Sequence, residues 1–382
     1  MYTTISFLFH LLLISFVIGP LGKLPFDFAQ GGVYVTDVVV TLICLFWIFH
    51  VPALLTLLRK DAIVKYFALF SAVAFFSLLF SPLSLSFFER LVSAAYLVRF
   101  LAYFGIYVTM KYLTKENPEE RERHIRYLGY AGILLALVGW LQYILYPDLR
   151  NLYYLGWDPH YKRIFSTFLD PNFLGLILTL TILIFLSDTK LLPLKRTLIL
   201  IFLGVTLAFT YSRSSFLALL SALLFFSLSK KNMHIIGIGA LLLLLSIILL
   251  PRPGGEGVKL ERVFSITERL ESWKQGIIIF ARHPVLGVGF NTLRFAKREY
   301  GGLSEDWASN HAGAGIENSF IFLGATTGIV GLFSYLFLFT HLFRYGKLLT
   351  RISLIAIGIH ALFLNSPFFP WIMLWMWMIA VR

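Results

Sequence analysis

Apolar residues run through this chain in long, nearly unbroken stretches, and polar residues collect in the gaps between them. The stretches fall at 4–20, 34–57, 64–81, 91–113, 125–146, 172–188, 194–211, 214–229, 233–250, 317–343, 350–365 and 367–381. A membrane-crossing helix needs about 20 mostly apolar residues, so the pattern predicts an all-α polytopic membrane protein with about twelve transmembrane helices. Pro367 and Pro370 crowd the boundary between the last two. The first stretch has no basic segment before it and no A-x-A site after it, so it reads as a retained span rather than a cleaved leader.

Two connections break the rule of short loops, 147–171 and 251–316. Loops of that length usually carry function. Inside the longer one, between spans nine and ten, Val263, Ile266, Leu270, Trp273, Ile277 and Phe280 recur at steps of three and four. That spacing predicts an amphipathic helix, stopped by His283-Pro284 and the glycines of "HPVLGVGF". The chain 1–382 thus reads as a single integral membrane domain, with 251–316 as a loop insertion.

Charge orients this arrangement. With 33 Lys and Arg against 20 Asp and Glu, the net charge is +13, which on its own suggests a nucleic-acid partner. Its distribution argues otherwise. Segments 59–65, 111–126, 190–196, 230–231 and 344–351, with Arg382, hold 17 Lys and Arg, whereas the short opposite loops hold 6. By the positive-inside rule both termini are cytoplasmic and the long loops are exoplasmic. The 38 Phe, 18 Tyr and 8 Trp suit side chains facing lipid and its interfaces. One cysteine, Cys44, allows no internal disulfide.

Candidate chemistry sits on the exoplasmic side. Arg213 lies in "AFTYSRSSFLALL", at a tight turn between two spans. A guanidinium fork suits phosphate oxygens, and Ser214 and Ser215 are placed to cap the next helix; a snorkelling interfacial arginine is the plainer reading. Arg99 lies inside a span, where a charge needs a partner or a wet cavity, and Asp37 near the outer end of span two is the candidate partner. Arg163, Arg269 and Arg282, with Arg252 and Arg262, add cations on the same side. Several together suggest a pyrophosphate or polyanion. Glu317 opens span ten above Gly324, Gly328 and Gly331, a spacing that permits close helix contact, and it is a candidate base beside its capping role. His311 is the other candidate. Walker A, HExxH, paired CxxC and GxSxG motifs are absent.

Six stretches then resemble the O-antigen ligase/polymerase superfamily, in family order: "VYVTDVVV", "AYLVRFLAYFGIY", "RIFSTFLDPNFLGLIL", "TYSRSSFLALL", "RLESWKQGIIIFARHPVLGVGFNTL" and "ENSFIFLGATTGIVGL". The resemblance covers about residues 34 to 340. It implies a GT-C-like fold in a bacterial cytoplasmic membrane and a metal-independent glycosyltransferase without cofactor. Such a protein moves a glycan from polyprenyl (undecaprenyl) diphosphate to a glycan or lipid A-core acceptor on the periplasmic face. It further implies that Arg213 and Arg269 hold the diphosphate. Ligases of this family carry a histidine where this chain has Glu317-Asn318-Ser319, a version that looks more like exopolysaccharide polymerases. The competing class is a flippase or other transporter, disfavoured here by the lack of two repeated halves.

Overall fold

The structure is a computed structural model that describes residues 1–25, 32–155, 158–251, 258–259, 264–300 and 315–382. Arg252, Arg262, Val263 and His311 lie outside the described residues. Fifteen α-helices occur among those described. They are α1 (Tyr2–Ile18), α2 (Val35–Ile48), α3 (Val51–Leu58), α4 (Ala62–Leu79) and α5 (Phe87–Glu116). Then come α6 (Glu119–Leu145), α7 (Pro171–Ser187), α8 (Pro193–Ala208), α9 (Arg213–Lys230) and α10 (His234–Leu249). The long loop holds α11 (Phe264–Arg282) and α12 (Leu293–Glu299), and α13 (Ser319–Tyr345), α14 (Leu348–His360) and α15 (Pro370–Ile379) close the chain.

Every apolar stretch of the sequence contains a helix. Six of them are long and apolar enough to cross a membrane: α1 with its 3-10 extension, α4, α5, α6, α9 and α13. The stretch 34–57 is two helices rather than one. It breaks before Pro52, and α2 and α3 meet at 93°, so that the pair counts as a seventh span only if taken together. A proline fits the first turn of a helix but cannot continue one. Helices α7, α10, α14 and α15 are apolar but shorter.

Helix starts follow local chemistry. Ser86 and Glu89 form a capping box on α5, with Ser86 N donating to the Glu89 carboxylate at 2.8 Å. Asp170 caps α7 by accepting from Asn172 N at 2.6 Å. Asn318 caps α13, its Oδ1 accepting from Phe320 N and Ile321 N at 2.9 and 3.1 Å. Each cap satisfies donors that the helix itself cannot.

The bundle is centred on α15, buried at every position from Pro370 to Ile379, as befits a helix apolar all round. Trp371, Trp375 and Trp377 are fully buried, so these three aromatics fill the core rather than facing lipid. Trp377 stands edge-on to Phe67 and Phe104, which stack at 4.0 Å. Around this centre α9 packs on α14, α4 on α13 and α7 on α6, α8, α9 and α14. Both described ends lie by the start of α6, where Tyr2 meets Glu120 and Arg121 Nε donates to the Val381 carbonyl at 2.6 Å. The turn between α8 and α9, together with α11, α12 and the start of α13, forms the opposite face.

The amphipathic helix of the long loop is present as α11, and it lies along the first half of α13. Gly276 faces Ile316 and Ile321, and the Phe280 ring lies over Gly324. Segment 284–290 then docks into a break in α13 at Gly328 (φ 66°). There Ile329 N donates to the Pro284 carbonyl at 2.8 Å, Val288 N to Ala325 at 3.0 Å and Gly289 N to Thr326 at 2.9 Å. The glycines of α13 therefore serve three different contacts. Gly324 receives Phe280, Gly328 is the break itself, and Gly331 sits against Thr327 of its own helix.

Candidate active site

On the face opposite the chain ends, four elements bring charged groups together. Arg213 is the first residue of α9 and is half-buried. The serines around it do not cap the helix as the sequence suggests. Ser212 makes no capping bond; instead its hydroxyl meets those of Ser214 at 3.2 Å and Ser215 at 2.9 Å, all three buried. Ser215 Oγ reaches the Asn172 carbonyl at 3.2 Å, and Gly175 leaves room for it, since a Cβ there would lie 2.5 Å from that oxygen. The serine cluster thus seats the Arg213 turn against the start of α7.

Arg269, on α11, is close enough to Arg213 for the two cations to repel each other. Its Nε donates to the Glu317 carboxylate in an ion pair, and its guanidinium carbon lies 5.9 Å from the Phe363 ring centroid. Trp273, one turn along α11, donates its indole N–H to the Glu317 carbonyl at 3.0 Å. The next two residues tie this turn to the end of α14. Asn318 Nδ2 donates to the Leu362 carbonyl at 3.2 Å and Ser319 Oγ to Leu364 at 2.7 Å. Glu317 is half-exposed, with its side chain 50% accessible, while Arg269 is 18% accessible. The carboxylate can therefore be reached from outside while the cation behind it is held.

Two cations that the sequence reading left out stand beside this pair. Arg294 and Lys297, on α12, are buried at 7% and 4% exposure. Lys297 Nζ donates to the Gly315 carbonyl at 2.7 Å. Burial, then the Arg294 charge, push its ammonium down to about 8, against the pull of Glu317. The sequence signal was an Arg-x-x-Lys spacing, which puts both on one face of a short helix. Asp170, at the α7 cap, is half-buried: desolvation and then Asp158 raise its carboxyl to about 6.

The other predicted cations are placed differently. Arg99 donates to Asp37 at 2.8 Å and to the Gly32 carbonyl at 2.8 Å, and lies over the Tyr34 and Tyr96 rings. Tyr103 also donates to Asp37, at 3.1 Å. Arg99 nevertheless lines a small cavity with Asn291 and Phe322, so it adjoins the segment between α11 and α12. Arg163 is buried, donating to the Thr210 carbonyl at 2.8 Å just ahead of the Arg213 turn. Arg282 is exposed at the far end of α11, about 20 Å along the helix from Arg269, with its guanidinium 4.6 Å from the Tyr300 ring centroid. The structure thus gathers Arg213, Arg269 and Glu317, sets Arg163 behind them, and leaves Arg99 and Arg282 at the margins.

An apolar groove of about 300 Å³ opens between α7, α8, α9 and α10, with Leu207, Leu219 and Leu243 among its walls. Leu219 is six residues from Arg213, or about 9 Å along α9, so the groove starts close to the cationic turn.

Such an arrangement can hold an anion between two arginines and present a carboxylate to a proton. Residues 198–336 match the family described as O-antigen ligase, a stretch that runs from α8 into α13 and includes Arg213, Arg269 and Glu317. No curated protein matches the chain. The match falls on the residues that build the site and supports the O-antigen ligase/polymerase superfamily for this chain.

Proposed function

We propose that this chain is a membrane glycosyltransferase that moves a glycan from polyprenyl diphosphate to an acceptor hydroxyl on the outer face of a bacterial cytoplasmic membrane. In this reading both termini are cytoplasmic, the twelve apolar stretches are twelve passes of a GT-C-like fold, and 251–316 is a periplasmic insertion. One observation carries the reading: Arg269 is paired with Glu317 directly beside Arg213.

Displacement at an anomeric carbon needs a stabilised leaving group and a hydroxyl relieved of its proton. Arg213 and Arg269 are assigned the first task, since fixed cations aimed at a departing diphosphate stabilise developing charge without reorganisation. Lys297 and Arg294 deepen the positive field. Glu317 is assigned the second task. A diphosphate that takes over Arg269 frees the Glu317 carboxylate to accept the acceptor's proton, so that donor binding itself arms the base. The prenyl chain would lie in the apolar groove beside α9, entering from the bilayer. His311 stays in the proposal as the alternative base.

The Glu317-Asn318-Ser319 turn resembles exopolysaccharide polymerases while the matched family is described as O-antigen ligase, so both forms of the reaction stay in the proposal. Product analysis decides between them: purified protein in liposomes is given a polyprenyl-diphosphate oligosaccharide with and without a lipid A-core acceptor. A polymerase lengthens the lipid-linked chain without added acceptor; a ligase transfers only to the acceptor. No transfer in either condition would overturn the proposal.

A further inference from the structure

A second built cleft lies at the opposite end of the bundle, and the transfer reaction makes no use of it. It is about 330 Å³ and is walled by the start of α6, the end of α7 with the turn after it, the end of α9, and the junction of α13 with α14. Arg121, Arg126, Lys190, Lys230 and Lys347 line it, opposed by Glu122 and Asp188. Five cations against two carboxylates leave an excess of three positive charges. Glu122 is moreover engaged by Lys190, and Asp188 accepts from the Lys190 backbone at 2.8 Å.

Two donors in this cleft are buried without an acceptor among the described residues, Arg121 Nη2 and Ser187 Oγ. Arg121 is only 6% exposed, and its Nε is fixed on the Val381 carbonyl at 2.6 Å. A buried guanidinium edge left unpaired is costly, as is a buried hydroxyl. Both donors belong to side chains that line this one cleft. Lys347 feels the same field: partial desolvation, then the Arg121 charge, push its ammonium down. The inner wall is apolar, with Ile125, Ile184 and Phe226 buried behind the charges and Leu348 and Leu349 half-exposed at the rim. A free inorganic anion has no use for that wall.

We infer that this cleft binds the phosphodiester headgroup of an anionic membrane phospholipid, with Arg121 and Ser187 on the phosphate, Lys230 and Lys347 at the rim, and an acyl chain against Ile125 and Phe226. Basic pockets between the ends of membrane helices suit such headgroups. The assignment is independent of the transfer reading, because none of these residues belongs to the Arg213 cluster.

The test is lipid retention by native mass spectrometry of the purified full chain, offered phosphatidylglycerol or phosphatidylcholine. Wild type should retain phosphatidylglycerol preferentially. Lys230→Gln with Lys347→Gln, both exposed positions, should cut retention by about thirtyfold, and Ser187→Ala should weaken it further. Arg121→Gln should abolish retention; because it also releases the Val381 carbonyl, the rim variants carry the test independently. Equal retention of the two lipids, or unchanged retention in the rim variant, overturns the site. Displacement of the lipid by inorganic phosphate at matched concentration overturns its assignment to a phospholipid.

Discussion

At the scale of single residues, Lys297 makes the most specific claim. Its folded-state ammonium titrates near 8 because it is buried beside Arg294, whereas an unfolded lysine titrates near about 10.4. The folded value is depressed, so between those limits the native state sheds a proton that the unfolded chain keeps. Rising pH therefore relieves a cost, and the contribution of Lys297 to stability improves across that window. Function moves the other way, since the site loses a positive charge. Transfer is expected to decline as pH rises through about 8, and Lys297→Arg, charged throughout, should flatten that limb of the pH–rate profile; an identical alkaline limb in the variant would exclude Lys297 as its cause. Glu317→Gln keeps the shape of the side chain but cannot accept a proton. It should lower the transfer rate by about 10²–10⁴-fold with the fold intact by circular dichroism. Wild-type turnover in that variant would remove Glu317 from the base role.

At the scale of elements, the docking of 284–290 into α13 is the feature that positions α11, and with it Arg269. Gly328 has φ 66°, and a Cβ there would lie 2.0 Å from the Val285 carbonyl oxygen. Backbone strain of this type costs about 1–3 kcal/mol, and the clash adds to it. Gly328→Ala should lower the thermal unfolding midpoint and reduce transfer together. Gly237→Ala, in α10 with open space around it, serves as the control and should leave both unchanged. Equal behaviour of the two variants would show that the docked loop does not hold α11. The sequence announced α11 by its period and its stop at His283-Pro284, and the glycines announced a close approach within α13. It did not say what approached, because a missing side chain admits a loop backbone as readily as a helix. The break at Pro52 and the burial of Trp371, Trp375 and Trp377 were hidden for a similar reason: hydropathy records how apolar a stretch is, not whether lipid or protein covers it.

At the scale of the whole molecule, helix order was legible from the apolar runs, and the placement of Lys and Arg assigns a side to each end of the bundle. The composition of the site was legible in part. Arg213 and Glu317 stood out because charge is rare beside the apolar runs they adjoin, and Arg269 through the resemblance; Arg294 and Lys297 share the mixed-charge loop of Arg269 without such a signal, and only folding buries them. The sidedness assigned to the two faces makes a direct prediction. In a Cys44→Ser background, Arg150→Cys should react with a membrane-impermeant maleimide added outside spheroplasts, and Lys231→Cys should react only after the membrane is opened. The reverse pattern would invert the topology and place the Arg213 cluster in the cytoplasm.

The arginine pair beside Glu317 is proposed to grip the diphosphate of a lipid-linked donor. This grip is tested most directly by the initial rate of glycan transfer from polyprenyl-diphosphate oligosaccharide in proteoliposomes, for wild type, Arg213→Ala and Arg269→Ala, each checked for a monodisperse, folded state. Removing one such stabilising group typically costs about 10²–10³-fold, so both variants should fall to the limit of detection while remaining folded. Transfer at the wild-type rate in either folded variant would contradict the account.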